Sequence, residues 1–296
     1  MSSASSAHRI DGRDLAQEVK HEVQSEIQDW TDAGNRPPFL SAVLVGDNPA
    51  SKAYVRGKER DCAEVGIETN THFFEAALSE AALLDTVQDL NQDETVDGIL
   101  VQLPLPDHID EQTVIDKIDP EKDVDGFHPE NLGRLLRGTA SFVPATPYGI
   151  LEMLRRSDID PDGMDAVIVG RSNIVGKPLA ALLMQRTTNA TVTVCHSHTE
   201  DLPAHTRRAD LLVAALGQAE YIGADMVKDD AVVIDVGINR VDDPSRDRGY
   251  RLVGDVDFEA VQEIASRITP VPGGVGLMTR AMLLRNTLTA AQLNAA

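Results

Sequence analysis

Tyr54 and Lys58 stand four residues apart in a stretch, Ser51 to Val65, that reads as a helix closed by Gly66. Four-residue spacing puts both side chains on one helix face. The stretch follows a buried strand, Phe39 to Val45, and the turn cluster Gly46-Asp47-Asn48-Pro49. Open α/β sheets place their ligands at the C-terminal ends of strands. Lysine gives up its proton readily when buried, so the pair reads as acid/base machinery. The alternative is a solvated lysine beside a packed tyrosine. Gln102 ends a second buried strand that starts near Asp97, and Pro104 and Pro106 make its exit rigid. It faces the same crevice as Lys58, or it is a satisfied core amide. Asp123 and Asp125 sit in a loop ended by Gly126. Two such carboxylates suit a metal, an N–H-rich ring, or plain turn stabilisation.

A second set of residues suits phosphate. Ala166-Val167-Ile168-Val169 is a β-branched run leading into Gly170-Arg171-Ser172 and then Gly176-Lys177-Pro178. This is a strand, a glycine turn and a helix start; a helix N-terminus there suits an anion such as a dinucleotide pyrophosphate, and the alternative is a purely structural turn with no ligand. It is neither the usual G-x-G-x-x-G nor a P-loop, because Pro178 stands where Ser or Thr would follow the lysine. The next strand, Ala190 to Cys195, ends in His196-Ser197-His198 with no acid to hold a ribose 2′-hydroxyl. With Arg171 in the preceding turn, that strand end favours NADP over NAD. Cys195, His196 and His198 alternate along a strand end and lack distant partners, so no metal is expected. Near the C-terminus, Pro270 to Gly276 mixes proline and glycine in a loop suited to close backbone approach by a ligand.

The elements needed to position these residues are those of an α/β protein of two domains. The 296 residues allow about two domains with ample core. Further buried runs, Ala209 to Gly217 and Ala231 to Gly237, join the two strands around Gly170 in a doubly wound, Rossmann-like parallel sheet. Additional helices are expected over Asp14 to Asp29, Ser79 to Gln92, Glu111 to Ile118, Tyr148 to Arg156 and Met278 to Leu293, with a strand from Gly66 to Phe74. Pro144-Ala145-Thr146-Pro147 reads as the hinge. Residues 1–146 plus 279–296 form the first domain, to which the last helix returns, and residues 147–278 the second. A crevice between domains is the default active site.

Composition narrows the class. Net charge is −21, which argues against a nucleic-acid partner. Only seven of the 27 basic residues are lysine. An acidic, lysine-poor surface suits concentrated salt, where screening falls to about 3 Å near 1 M, so a halophilic protein is expected; an ordinary acidic cytosolic enzyme is the alternative. No run approaches the length of a membrane span. Two cysteines, Cys62 and Cys195, without a C-x-x-C pattern point to a reducing cytoplasm. Met1 to His8 is Ser-rich and polar, neither signal nor anchor, and is expected to be a disordered tail.

Five stretches in one order resemble a known family. They are Tyr54-Val55-x-x-Lys58 after Asp47-Asn48-Pro49-Ala50-Ser51; Val101-Gln102-Leu103-Pro104; Lys122-Asp123-Val124-Asp125-Gly126; Gly170-Arg171-Ser172 with Val175-Gly176-Lys177-Pro178; and Pro272-Gly273-Gly274-Val275-Gly276. Together they resemble bifunctional methylenetetrahydrofolate dehydrogenase/methenyltetrahydrofolate cyclohydrolase, from about Ile10 to the final helix. The resemblance implies NADP-dependent oxidation of 5,10-methylene-tetrahydrofolate and hydrolysis of the methenyl product to 10-formyl-tetrahydrofolate, in a homodimer. It implies Lys58 as the main catalytic residue, assisted by Tyr54 and tuned by Gln102, with Asp125 on the pterin. It places Val101, Leu103, Pro272, Gly273, Gly274, Val275 and Gly276 on the folate side, and Gly170, Arg171, Ser172, Ser197 and Ile238 on the NADP side. Leu277 and Asn48 depart from the family pattern, and neither carries the implied chemistry. Tyr54-x-x-x-Lys58 also fits short-chain dehydrogenases, but their glycine turn precedes the pair, and here it follows. A non-catalytic NADP or folate sensor would have lost Lys58 or Gln102, and both are present.

Overall fold

The computed structural model describes residues 7–246 and 248–295. The chain divides into two compact units, one of residues 17–145 with 280–296, the other of residues 1–16 with 146–279.

The first unit holds most of α1 (Gly12–Asp32), then β2 (Phe39–Val45), α2 (Pro49–Val65), β3 (Glu68–Phe74), α3 (Glu80–Gln92), β4 (Gly98–Val101), α4 (Glu111–Lys117) and α5 (Pro129–Arg137). Its three-stranded sheet is parallel with β2 in the centre, where Ala42 lies level with Thr71 on β3 and Leu100 on β4. A parallel sheet is covered on both faces, so β2 in its centre and β4 at its edge are both buried, mostly apolar runs without alternation. Helix α2 starts where the sequence places a turn. Asn48 accepts hydrogen bonds from the amides of Ala50 and Ser51, Pro49 sits in the first turn, and Gly66 closes the helix at φ 90°. That cap fixes the phase of the helix and so the face on which Tyr54 and Lys58 lie.

The second unit opens with β1 (His8–Arg9) and later holds nearly all of α6 (Ala145–Arg156), β5 (Asp165–Val169), α7 (Gly176–Leu183), β6 (Thr191–Cys195), α8 (Leu202–Thr206), β7 (Leu211–Ala214), β8 (Val232–Asp235), β9 (Asn239–Asp242), β10 (Tyr250–Val253), α9 (Phe258–Val261) and β11 (Arg267–Ile268). Six strands form one parallel sheet in the order β1-β11-β8-β7-β5-β6. Beta5 has β6 on one side and β7 on the other, so the strand order reverses there, which is where such sheets bind ligands. Its core is built from Val167, Val169, Leu212, Ala214, Val233 and Ile268. Strands β9 and β10 form a separate antiparallel pair. Helix α10 (Val275–Asn294) gives its first five residues to this unit and the rest to the other.

Several expectations change in detail. The polar tail expected over Met1 to His8 lies mostly outside the described residues, but His8 pairs with Arg267 as a sixth strand of the sheet. The stretch expected as a hinge, Pro144 to Pro147, contains the boundary between the units, and its last three residues are the first turn of α6, with Pro147 where its missing N–H costs nothing. Val275 and Gly276, expected in a loop, begin α10. Helix α5 was not expected, since no element was read between the loop ended by Gly126 and Pro144; the His128 ring caps its Glu130 amide and Gly138 ends it at φ 73°.

Candidate active site

Residues of α2 come together with the end of β4 in the first unit. Lys58 is 8% exposed, and its Nζ lies 3.3 Å from Gln102 Oε1. The same ammonium lies 4.9 Å from the centre of the Tyr54 ring. Gln102 is itself aimed: its Nε2 donates to the Leu103 carbonyl at 2.6 Å, which leaves Oε1 for the lysine. The backbone of Gln102 is tied to β2 by its N–H to Val43 O. Val101 and Leu103 pack into the apolar core of this unit, so what they offer a ligand is backbone.

Asp125 sits close enough for its charge to act on Lys58 and Tyr54. Burial lowers the Lys58 pKa, and the Asp125 charge acts in the opposite sense. Burial raises the Asp125 pKa, which Lys58 counters. Tyr54 is pushed up to about 12, first by burial and then by Asp125. Burial thus moves all three groups toward their neutral forms, while the attraction between Lys58 and Asp125 opposes it for that pair. The loop carrying Asp125 is braced from below. Asp123 accepts hydrogen bonds from the amides of Gly126 and His128 and from Asn131 Nδ2. Asn286 donates to the Val124 carbonyl. Asp123 braces the turn, and Asp125 is the carboxyl whose charge acts on Lys58 and Tyr54.

One part of this cluster escaped the sequence. Asp61 is 2% exposed and pairs with Arg280 of α10 at 2.8 Å and with Lys20 of α1 at 3.1 Å. A Cβ on Gly57 would come within 2.5 Å of the Arg280 guanidinium, so glycine makes room for it. The Arg280 charge lowers the Tyr54 pKa and so opposes its burial. The available signal was the spacing of Tyr54, Lys58 and Asp61, which continues one stripe of α2. Arg280 had no such signal, being distant in sequence.

The second unit gathers the residues of the phosphate turn. Gly170 sits at φ 134°, and a Cβ there would lie 2.1 Å from the Ala215 carbonyl oxygen. Gly176 is equally tight against the Gly170 carbonyl. Val175 is the residue that caps the start of α7 at Gly176, and it gives no side-chain hydrogen bond. Ser172 Oγ accepts from the Val175 amide at 3.1 Å. Arg171, Ser172 and Ser197 are exposed. His196 titrates below its ordinary value, through loss of solvent and the nearby charges of Arg171 and His198. An uncapped helix start, a turn closed to any side chain and a strand end without an acid all fit a dinucleotide with a 2′-phosphate. Ile238, 58% exposed, follows β8, and a Cβ on Gly276 would touch its Cδ1 at 3.4 Å. Gly274 packs beneath Gly12, whose amide donates to Gly273 O at 2.8 Å, while Pro272 is exposed and Val275 buried.

Known proteins are similar to this chain in sequence and fold. Residues 10–125 match the family described as tetrahydrofolate dehydrogenase/cyclohydrolase, catalytic domain. Residues 144–295 match its NAD(P)-binding domain. The bifunctional protein FolD of Salinibacter ruber is 76% identical over 295 residues, covering 100% of this chain and 99% of that one. The crystal structure of Trypanosoma brucei N5,N10-methylenetetrahydrofolate dehydrogenase-cyclohydrolase, complexed with NADP cofactor and inhibitor, is 40% identical with a TM-score of 0.94, over 98% of this chain and 99% of that one. That of the bifunctional FolD enzyme of Campylobacter jejuni is 46% identical with a TM-score of 0.91, over 97% and 99%. With both halves of the chain matched in order and the Lys58 cluster and the Gly170 turn built as described, the chain belongs to the tetrahydrofolate dehydrogenase/cyclohydrolase family.

Proposed function

We infer that the chain oxidises 5,10-methylene-tetrahydrofolate to the methenyl cation with NADP+, and then hydrolyses that cation to 10-formyl-tetrahydrofolate. The observation that carries the reading is Lys58, buried, hydrogen-bonded to Gln102 and set against Tyr54 and Asp125.

Gly170, Arg171, Ser172, Ser197 and Ile238 would hold NADP+, which when bound would supply the hydride acceptor for the methylene bridge. The chain's own groups bind and move protons. Asp125 accepts hydrogen bonds from the N–H edge of the pterin, and Tyr54 lies along the substrate. In the first unit the backbone of Val101 and Leu103 faces the folate side; Pro272, Gly273, Gly274, Val275 and Gly276 belong to the second unit and are folate-side residues by the resemblance alone. In hydrolysis a water oxygen bonds to the methenyl carbon, and Lys58 Nζ takes the proton released. The hydroxyl of that adduct then gives up its proton as the carbon–oxygen double bond forms and the carbon–N5 bond breaks; N5 keeps the electron pair and takes up a proton, and the formyl group stays on N10, with one proton released overall. A cationic substrate disfavours a second cation beside it, so an amine already pressed toward neutrality suits the step. Gln102 Oε1 keeps the amine oriented in either protonation state.

The remaining parts of the reading are a homodimer, a cytoplasmic site and adaptation to salt. Both cysteines are free and buried, which suits a reducing compartment. No helix among the described residues is long and apolar enough to cross a membrane.

Lys58→Met tests the assignment. It keeps the length and apolar stem and removes the base. Methenyl hydrolysis should fall to within about tenfold of the uncatalysed rate, since general acid/base catalysis contributes about 10²–10⁴-fold, with NADP+ binding unchanged. Hydrolysis at the unmodified rate would show that another group is the base.

A further inference from the structure

Two buried carboxyl groups of the second unit, Asp235 and Asp255, take no part in the chemistry above. They are 3% and 0% exposed. Buried carboxyls are costly, and a chain keeps them where their hydrogen bonds hold something.

Asp255 accepts four hydrogen bonds. Its Oδ2 takes the amides of Leu216 and Gly217 at 2.7 and 2.9 Å. Its Oδ1 takes the Gln218 amide at 2.9 Å and Asn239 Nδ2 at 2.8 Å. A carboxylate has about four acceptor positions, so all are used. Leu216, Gly217 and Gln218 are the loop after β7, and Asn239 directly follows Ile238 after β8. Asp235, the last residue of β8, accepts from the amides of Gly237, Asp255 and Val256 at 2.9 to 3.0 Å. One carboxyl thus reaches both loops, and the other fixes the first and anchors Ile238 from its other side. The fit leaves no slack: a Cβ on Gly237 would lie 2.2 Å from Asp255 Oδ1, and one on Gly254 would lie 1.7 Å from Asp235 Oδ2.

We propose that Asp255, seated on Asp235, is a positioning residue for the cofactor: it locks the loops after β7 and β8 into one shape and so sets where Ile238 stands. The proposal rests on the reading of these strand ends as the NADP side. Neither aspartate touches the cofactor in this account. Both act by denying the two loops any other arrangement, which spares the cofactor the cost of ordering them on binding.

The test uses the full-length chain and calorimetric titration of NADP+. Asp255→Asn keeps one acceptor oxygen and turns an NH₂ toward two donors. Its Kd for NADP+ should rise about tenfold or more, as leaving buried donors unpaired does. Methenyl hydrolysis, measured without NADP+, should stay within about twofold of the unmodified rate, because its base lies in the other unit. The exchange Asp255→Asn with Asn239→Asp restores a donor–acceptor pair between the two side chains and should recover part of the lost affinity. Should Asp255→Asn fail to fold, Asn239→Leu removes one donor at nearly constant size and should raise Kd about threefold. Affinity equal to the unmodified chain in whichever of these variants folds would overturn the proposal, even if the melting temperature falls. An unmodified chain that binds no NADP+ would remove the cofactor reading and the proposal with it.

Discussion

Lys58 is held between opposing influences, and their balance sets the pH at which it works. Burial presses it toward the neutral amine, while the Asp125 charge and the Tyr54 ring favour the ammonium. A base acts only when unprotonated, so hydrolysis, corrected for the uncatalysed reaction, should rise with pH and level off below the ordinary lysine value. Asp125→Asn removes the anion that supports the ammonium, so the inflection should move to lower pH, and the proposed pterin role of Asp125 predicts a lower rate as well. A pH profile with its inflection unmoved, or moved upward, would contradict this balance. The pairing of Tyr54 with Lys58 was legible because a helix repeats its faces every four residues. Gln102 was legible because two prolines stiffen the strand exit. The ion pair of Asp61 with Arg280 was not, because no local rule joins a residue of α2 to one of α10. For the same reason Asp255 gave no signal: its four donors come from two loops distant from it in sequence.

At the scale of elements, the strand–turn–helix at Gly170 shows how much a single missing side chain can carry. The turn brings Gly170 against the Ala215 carbonyl at the end of β7, and Gly176 against Gly170 itself. Both contacts are backbone on backbone, so neither can yield as a flexible side chain would. Gly170→Ala adds a Cβ at positive φ and inside the contact distance. It should cost at least ~3 kcal/mol, in the range where strain and a clash combine. Calorimetry should show a lower unfolding temperature, and NADP+ reduction should be lost while methenyl hydrolysis persists. Full NADP+ reduction by Gly170→Ala would mean that this turn does not hold the cofactor. The long apolar runs announced their strands. Beta1 and β11 did not, since two residues are too few to show a period, and the β9–β10 pair lies outside the main sheet with no buried face to pattern it.

For the molecule as a whole, the charge balance is the dominant feature. A net −21 places repulsion across the whole surface, and salt screens it over about 3 Å near 1 M. The unfolding temperature should therefore rise by several degrees between ~0.1 M and ~2 M KCl, with the sedimentation mass staying at that of a dimer. A fall in unfolding temperature over that range would contradict salt adaptation. The central claim is that one chain carries both folate activities, and a single assay addresses it. Purified protein is mixed with 5,10-methylene-tetrahydrofolate and NADP+, and the absorbances of reduced NADP and of the methenyl species are followed together. The account predicts that reduced NADP accumulates while the methenyl species stays near the level left by its own hydrolysis. Methenyl accumulation in step with reduced NADP would leave a dehydrogenase alone, and the absence of any reduction would contradict the account.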